Sequence, residues 1–295
     1  MNKNISVIDL GNINVKYIGK SQSGIFSSKI TTDYQSYKDG FQRVEIDGRL
    51  TYIGIGELSR EFNKSERNYL PQLLYAVCKS NNENVIETNL TLLLPILQME
   101  NKVKLIENLK DKEFDLKFNG KDRVINFKDV LVLPEGYVTY FSLSEEDKQG
   151  DICIIDLGSR TINICVLEDG KIQKLNTVKL GSFDFYSKLR AIENAKGEDF
   201  TEEEIPRLIR NGTIKVYQKQ YAEFLNEILN SIKPYVNLRT YKCIFTGGTS
   251  IMLSEWINKL SLPNFKIHSD ALNSNVIGAK NASMIVWGAK DDGKQ

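Results

Sequence analysis

The chain contains one strand, glycine turn and strand arrangement twice. Residues 5–15 read ISVIDLGNINV and residues 152–162 read ICIIDLGSRTI, and they align without a gap at an offset of 147 (156 minus 9). In both copies the first strand ends in Ile-Asp-Leu-Gly. One Asp-Leu-Gly tripeptide is an ordinary turn, but its repetition after an apolar strand in each half predicts two related α/β units.

Length and charge limit the functions to consider. The 295 residues suit two domains of ordinary size. The 39 Lys and Arg residues nearly balance the 38 Asp and Glu residues, so there is no overall basic field and we expect no direct nucleic-acid partner. No apolar run is long enough to cross a bilayer, so we expect a cytoplasmic protein without membrane contact.

Cysteine and histidine usage excludes several kinds of site. The four cysteines lack the paired spacing of zinc sites and the density of disulfide scaffolds, so we expect small buried thiols. The single histidine, His268, follows a predicted strand, which favours a surface or turn position. Nucleophilic triads and histidine-rich metal sites are therefore not expected.

Strand and helix patterns alternate along the chain, which predicts an α/β fold. The polar run SLSEEDKQGD, residues 142–151, precedes the second copy of the repeat. We therefore expect a first lobe at 1–147 and a second lobe at 148–272, with a C-terminal helix at 273–290 that packs back on the first lobe. Helical spacing is clear in three segments, which are YLPQLLYAVCKSN, KVYQKQYAEFLNEILNSIK and TSIMLSEWINKL.

The repeated turn suits the binding of phosphate and a metal ion. A turn that contains Gly11 or Gly158 lets backbone N–H groups approach an anion closely, which a side chain would obstruct. Asp9 and Asp156 would repel phosphate unless they hold a magnesium ion through its water shell. Lys16 supplies positive charge near the first turn. In the alternative interpretation the aspartates only cap turns and Lys16 is solvated.

A third motif follows a later strand. In IFTGGTSIMLSEWI, residues 244–257, an apolar strand runs into Gly247 and Gly248, and a helix begins at Thr249 and Ser250. Paired glycines let a flat ring or a sugar lie against the backbone, and the start of a helix attracts negative charge. A plain strand-to-helix turn with a hydroxyl N-cap is the alternative.

Together these motifs resemble the actin-like ATPases of the sugar kinase, heat-shock chaperone and actin superfamily. DLGNINVK is similar to the first phosphate motif, IDLGSRTIN to the second, IFTGGTSIM to the adenosine motif and LPEGYVTY (133–140) to the connecting segment. Within the superfamily, the order and spacing of TYIGIGEL, LPQLLYAV and TLLLPILQMENKVKLIENL resemble the bacterial plasmid-segregation actins of the ParM type. The resemblance implies two related α/β lobes with a central nucleotide cleft.

The resemblance also implies residue roles. Asp9 and Asp156 would hold hydrated Mg²⁺ through water, and Glu135 would position the water that attacks the γ-phosphate of ATP or GTP. Pro-Glu-Gly is also a common turn sequence, so in the alternative interpretation Glu135 only forms a turn and has no catalytic role. The residues implied at the nucleotide are Gly11, Asn12, Ile13, Asn14, Lys16, Gly158, Ser159, Arg160, Thr161, Gly181, Gly247, Gly248 and Thr249, of which Gly181 is expected near the ribose.

Two features depart from the ParM pattern. Asn163 stands where ParM relatives often carry a carboxylate, which bears on metal coordination. The segment GEDFTEEEIPRLIRNG, residues 197–212, is short, so we expect a reduced small subdomain in the second lobe and leave the choice between ATP and GTP open.

Three functions fit the resemblance. The first is a filament that assembles head to tail from copies of this chain, hydrolyses ATP, and moves or segregates DNA such as a plasmid through a DNA-binding adaptor protein. The second is a small-molecule kinase for a sugar or a carboxylate, although neither an acceptor pocket nor its base can be identified. The third is a non-catalytic nucleotide switch of a membrane-linked cytoskeleton, for which an amphipathic terminal segment is missing.

Overall fold

The computed structural model describes residues 4–292 and divides the chain into two compact units. Unit 1 comprises Met1–Ser142 and Asn275–Gln295, and unit 2 comprises Leu143–Ser274. Each unit contains its own sheet, and the hydrophobic clusters of each unit cover that sheet. The α/β fold class expected from the repeat is confirmed.

The sheet of unit 1 has nine strands in the order β3-β2-β1-β7-β9-β8-β5-β6-β4. The pairs β1–β7 and β7–β9 are parallel, and β1–β2 and β2–β3 are antiparallel. Strand β1 is buried throughout and β7 is buried along nearly all of its length, which explains the dense apolar run in β7. The strands are β1 (Ile5–Leu10), β2 (Asn14–Ile18), β3 (Ser23–Ser27), β4 (Ile30–Thr31), β5 (Arg43–Ile46), β6 (Arg49–Ile53), β7 (Val85–Leu94), β8 (Glu113–Phe118) and β9 (Lys121–Pro134).

Two helices of unit 1 follow from the apolar spacing in the sequence. Helix α1 (Leu70–Ser80) buries Leu73, Leu74 and Val77 in the same cluster as Phe127 of the sheet. Helix α2 (Lys102–Leu109) buries Leu105 and Leu109 on one face. Short 3₁₀ turns lie at Lys38–Gly40, Ile96–Asn101 and Tyr137–Ser142.

The sheet of unit 2 has five strands in the order β12-β11-β10-β13-β14. The β10–β13 and β13–β14 pairs are parallel, and the other two are antiparallel. The elements are β10 (Ile152–Leu157), β11 (Ile162–Glu168), β12 (Lys171–Val178), α3 (Ser182–Asn194), α4 (Ile205–Arg210), α5 (Gln218–Ile232), β13 (Lys242–Thr246), α6 (Gly248–Met252), α7 (Ser254–Ile257) and β14 (Phe265–Ile267).

Helix α8 (Ser274–Asp292) completes the fold, and from Asn275 onward it belongs to unit 1. The Trp287 indole donates a hydrogen bond to Asp129 of β9 (3.0 Å), and Ser283 and Thr91 of β7 join their hydroxyls (2.7 Å). These buried polar contacts fix the rotation of the helix on the sheet.

The two sheets share one strand order. In unit 1 the series β3-β2-β1-β7-β9 has three antiparallel strands followed by two parallel ones, and in unit 2 the series β12-β11-β10-β13-β14 has the same pattern. The repeat that begins both halves therefore extends to the topology around it. Additional strands of unit 1 continue beyond β9.

Two local expectations are refined by the structure. The segment TSIMLSEWINKL forms two short helices instead of one, because Leu253 leaves the helical conformation (φ −98°, ψ 9°) while its side chain is fully buried. His268 directly follows β14 and precedes a turn at residues 269–270, but it is buried instead of lying at the surface, and its Nδ1 accepts a hydrogen bond from the Asp270 N–H (3.0 Å). All four cysteines are buried free thiols, as predicted.

Candidate functional site: two glycine turns with buried carboxylates

The first glycine turn joins β1 to β2 in unit 1. Asp9 is opposite Lys16 in the antiparallel register, and the Lys16 Nζ lies 3.6 Å from Asp9 Oδ2. A Cβ atom added to Gly11 would lie 2.4 Å from the Asn14 carbonyl oxygen, so the turn closes only around glycine. Asp9, the residue before the last of β1, is 5% exposed, which places a carboxylate where burial is costly without a cation.

Side chains from other segments hold this turn. The Ser28 hydroxyl donates to the Gly11 carbonyl (2.7 Å). Arg67 donates to the Leu10 carbonyl (3.4 Å) and to the Asn12 side-chain oxygen. The guanidinium therefore anchors a segment between β6 and α1 to the turn and places positive charge beside it.

Lys64, in the same segment, is the main residue that the sequence interpretation missed. Its side chain is 5% exposed, and its Nζ forms ion pairs with Asp9 Oδ1 (3.0 Å) and with the Glu135 carboxylate. Two carboxylates that the sequence assigned to metal binding and catalysis thus share one ammonium group. Lys64 lies outside the repeat and outside any segment with helical or strand periodicity. The sequence therefore contained no indication of its role beyond its positive charge.

The pKa directions follow from this cluster. Burial alone would raise the pKa of Asp9, but Lys64 and Lys16 hold it below its ordinary value. Burial alone would lower the pKa of Lys64, but Asp9 and Glu135 raise it. The carboxylate of Asp9 and the ammonium of Lys64 are therefore both charged at neutral pH.

Glu135 follows β9 and is positioned from two sides. Its N–H donates to the Leu94 carbonyl (2.8 Å), which ties it to the end of β7. The Asn275 side-chain oxygen, on α8, accepts hydrogen bonds from the Gly136 N–H (2.9 Å) and the Thr139 hydroxyl (3.1 Å). Gly278 lies so close to this segment that a Cβ atom on it would be 1.9 Å from the Val138 carbonyl oxygen. The start of α8 thus fixes the backbone that carries Glu135.

The second glycine turn joins β10 to β11 in unit 2. Asp156 is 4% exposed and faces Asn163, the position equivalent to Lys16 at the offset of 147. The Asn163 side-chain amide nitrogen lies 3.4 Å from Asp156 Oδ2. The Thr177 hydroxyl donates a hydrogen bond to the Asn163 side-chain oxygen (2.8 Å). The Thr177 bond orients the amide so that its N–H groups point at the carboxylate. A neutral donor therefore replaces the lysine of the first turn.

The glycine of the second turn is constrained like that of the first. The Gly158 N–H donates to the Thr161 carbonyl (2.8 Å), and an added Cβ atom would lie 2.9 Å from the same oxygen. The Thr249 hydroxyl donates to the Gly158 carbonyl (2.8 Å), as the Ser28 hydroxyl does to Gly11. Both turns thus have a glycine carbonyl held by a hydroxyl from another segment.

Gly181 lies behind the second turn. A Cβ atom on it would be 2.3 Å from the Ser159 carbonyl oxygen, and the following Phe183 N–H donates to that same oxygen (2.9 Å). The Arg160 guanidinium stands over the Phe183 ring at 5.2 Å. Gly181 therefore packs against the turn and lets the start of α3 approach its backbone.

Gly247 and Gly248 differ in their surroundings. Gly247 has φ +86°, and a Cβ atom on it would be 2.4 Å from the Leu157 carbonyl oxygen and 2.6 Å from Asp156 Oδ1. Gly248 begins α6, and its added Cβ atom would meet only Leu272, at 3.8 Å. The third motif is therefore packed against the carboxylate of the second turn.

The structure brings the predicted residues together in two groups. Those of the first turn are joined by Glu135 within unit 1, and those of the second turn are joined by the third motif within unit 2. Within residues 4–292 no group of three or more His, Cys, Asp or Glu side chains could hold a metal ion.

Comparisons with known proteins show what the chain is similar to. Residues 7–137 match the family model of the actin-like proteins N terminal domain. A search of curated proteins finds no match. In the part of the chain that the structure describes, no helix is long and apolar enough to cross a membrane.

Solved structures match over nearly the whole chain. The crystal structure of apo pSK41 ParM protein has a TM-score of 0.72 at 17% identity, covering 98% of this chain and 99% of that one. A 15-stranded ParM filament from Clostridium botulinum has a TM-score of 0.78 at 20% identity, covering 96% and 100%. A crystal structure of an archaeal actin homolog has a TM-score of 0.80 at 17% identity, covering 96% and 99%.

The chain has the actin-like fold, and its residues 7–137 correspond to the N-terminal domain of actin-like proteins. The expected actin-like fold is confirmed, and none of the structures reported above supports the kinase alternative.

Proposed function

We propose that this chain is a nucleotide-dependent, filament-forming actin-like protein that hydrolyses ATP, or GTP, and moves or segregates DNA such as a plasmid. The observation that carries the proposal is the duplicated turn. Each copy combines a glycine required by close backbone contact, a carbonyl held by a hydroxyl, and a buried aspartate one strand residue before the turn. A plain hairpin turn does not need the buried carboxylate, because burial of that charge is unfavourable.

The turns are proposed to bind the phosphates of the nucleotide. Gly11, Asn12, Ile13 and Asn14 of the first turn and Gly158, Ser159, Arg160 and Thr161 of the second would line the phosphates, and backbone N–H groups of residues 11–14 and 159–161 would donate to phosphate oxygens, as glycine turns commonly do. Lys16 and Arg67, which already contacts Asn12, would offset the phosphate charge at the first turn. Gly247, Gly248 and Thr249 would border the adenosine, and Gly181 would support the second turn from behind.

The same aspartates are proposed to hold the metal ion. The donor set fits Mg²⁺, which prefers oxygen ligands and is usually held by one or two carboxylates together with water and substrate phosphate. Asp9 and Asp156 would hold its water shell. When bound, the ion would neutralise charge that develops on the phosphates.

Glu135 is proposed to act on the water that attacks the γ-phosphate. It is 7% exposed, and its backbone is fixed at β7 and at Asn275. A carboxylate with so little freedom is suited to orient a water molecule and to accept its proton. Lys64, ion-paired with Glu135 and Asp9, would hold both carboxylates in position for these tasks.

Assembly is proposed to be head to tail between copies of this chain. Among the similar structures, ParM from Clostridium botulinum and AlfA from a Bacillus subtilis plasmid were solved as filaments. A heterologous contact that does not close into a ring produces an open polymer. Because the net charge is only +1, an adaptor protein bound to DNA would link the polymer to its cargo in the cytoplasm.

Sedimentation and phosphate release, measured on the same sample, test the proposal. Purified protein is mixed with Mg-ATP or Mg-GTP, pelleted at intervals, and assayed for released phosphate. We expect protein in the pellet only with triphosphate and metal, followed by phosphate release. Phosphate transfer to an added sugar or carboxylate, with all protein in the supernatant, would favour the kinase instead.

A further inference from the structure

Lys64 lies at the centre of the carboxylate cluster in unit 1, and its backbone is fixed there. The Lys64 N–H donates to the Gln98 side-chain oxygen (2.9 Å), and the Gln98 amide donates to the Phe62 carbonyl (3.0 Å). Gln98 is itself buried, in the 3₁₀ turn after β7. The segment that carries Lys64 is thus tied to the sheet on one side and, through Arg67, to the first turn on the other.

Lys64 is the cation of this cluster that contacts both carboxylates. Asp9 and Glu135 contribute two negative charges, and Lys16 and Lys64 contribute two positive ones. Lys16 reaches only Asp9, at 3.6 Å, whereas Lys64 contacts both carboxylates. Removal of Lys64 would take away the ion pair that Asp9 and Glu135 share and leave Asp9 with Lys16 at 3.6 Å.

Paired carboxylates are a common ligand set for divalent cations. Magnesium and manganese ions take carboxylate oxygens together with water, and two carboxylates suffice for a weak site. An ammonium group competes for the same lone pairs, because its three N–H donors need the same oxygen atoms. Lys64 and a divalent ion therefore cannot both use Asp9 Oδ1 and the Glu135 carboxylate.

We propose that Lys64 is a positioning residue that occupies the place of a cation between Asp9 and Glu135, and so prevents a free divalent ion from binding these carboxylates before nucleotide arrives. The inference rests on the proposed use of Asp9 and Glu135 in nucleotide hydrolysis. Its consequence is that the metal ion enters together with the nucleotide, and that the carboxylates keep their positions in the nucleotide-free chain.

Binding of Mn²⁺ to nucleotide-free protein tests the inference. Wild type, Lys64→Met and Lys104→Met are stripped of metal and nucleotide, titrated with Mn²⁺, and free Mn²⁺ is measured by electron paramagnetic resonance. Lys104 is the control, because it pairs with Glu66 through a half-exposed side chain on the surface of the same unit. We expect at least tenfold tighter Mn²⁺ binding by Lys64→Met than by the other two, and loss of that gain in Lys64→Met/Glu135→Gln.

Two results of the Mn²⁺ titration would contradict the inference. Equal Mn²⁺ binding by wild type and Lys64→Met would overturn the inference, and so would a gain that survives the Glu135→Gln change. If Lys64→Met does not fold in the absence of metal, Mn²⁺ should restore its thermal unfolding transition and NaCl of equal ionic strength should not; failure of that rescue also overturns it. Filament assembly by wild type is measured separately, so the proposed function can hold while this inference fails.

Discussion

Asn163 faces Asp156 across the β10–β11 ladder at the position that Lys16 holds opposite Asp9. The carboxylate of the first turn is thus balanced by cations, and that of the second turn receives an amide donor, 3.4 Å away, which the Thr177 hydroxyl orients. The duplicated turn has therefore kept its aspartate while the partner across the hairpin has changed.

Exchange of this amide for a carboxylate should destabilise the nucleotide-free protein. Asn163 is fully buried, so Asn163→Asp would place two acids side by side and remove the donor. We expect a loss of about 1–3 kcal/mol in the free energy of unfolding, measured by denaturant titration at pH 7.5. Asn176→Asp, at a partly exposed position of β12, is the control and should change it by less than ~0.5 kcal/mol. Equal losses in both variants would contradict the pairing.

The two neighbouring glycines of the third motif should respond differently to alanine. Gly247→Ala would force a side chain into the left-handed region and against Leu157 and Asp156, at a cost of about 1–3 kcal/mol or more. Gly248→Ala meets no close atom and should be nearly neutral. The midpoint temperature of thermal unfolding and the nucleotide affinity are measured for both variants. Both quantities should fall only in Gly247→Ala. A neutral Gly247→Ala would show that the turn is not as closely packed as described.

Removal of the Asn275 side chain should slow hydrolysis without weakening nucleotide binding. Asn275→Ala leaves the Gly136 N–H and the Thr139 hydroxyl without this acceptor next to Glu135, a loss of about 1–3 kcal/mol in stability. We expect a lower kcat with unchanged nucleotide affinity, since Glu135 is misplaced while the turns are intact.

Asn281→Ala provides the matched comparison for this prediction. The Asn281 amide donates to the Phe141 carbonyl (2.8 Å), which is further along the same segment from Glu135. That variant should lose stability while its kcat changes less. If the two variants slow hydrolysis equally, α8 does not position Glu135 specifically.

The buried thiol of Cys78 should make the free energy of unfolding depend on pH once the pH exceeds the pKa of an unfolded thiol. Burial raises the pKa of the Cys78 thiol to about 12, whereas the unfolded thiol ionises near ~8.5. Above that lower value the unfolded chain binds fewer protons than the folded chain, so the free energy of unfolding falls as pH rises. The expected loss from this thiol at pH 9.5 is about 1.4 kcal/mol relative to pH 7.

Comparison with Cys78→Ala isolates that contribution. The variant should lose less stability than wild type between pH 7 and 9.5, whereas both should change equally between pH 6 and 7, where no thiol ionises. Identical pH dependence of the two proteins at high pH would show that the thiol is accessible in the folded state.

The repeat made the two related units predictable, because it depends on contacts between residues that are close in sequence. The alignment of Asp9 with Asp156 and of Gly11 with Gly158 specified two hairpins with the same close contacts, and the apolar runs specified which strands are buried. Helix α5 was equally clear, because its buried residues repeat with the period of a helix. Such features depend on neighbours in sequence.

The partners that complete each turn could not be predicted in this way. Lys64 reaches Asp9 from 55 residues away, and Asn275 reaches Gly136 from 139 residues away. Neither lies in a motif, and tertiary packing alone brings them to the carboxylates. The break at Leu253 could not be predicted either, because the helical spacing continues across it.

Electron microscopy of the protein after addition of Mg-ATP tests the central claim most directly, with wild type, Glu135→Gln and the surface control Glu107→Gln followed over time. We expect wild type and Glu107→Gln to form filaments that later disassemble, and Glu135→Gln, with hydrolysis slowed about a hundredfold or more, to form filaments that persist. Samples with ADP or without Mg²⁺ should contain none. If wild type with Mg-ATP never forms filaments, or forms them equally well without nucleotide, the account of a nucleotide-driven polymer is contradicted.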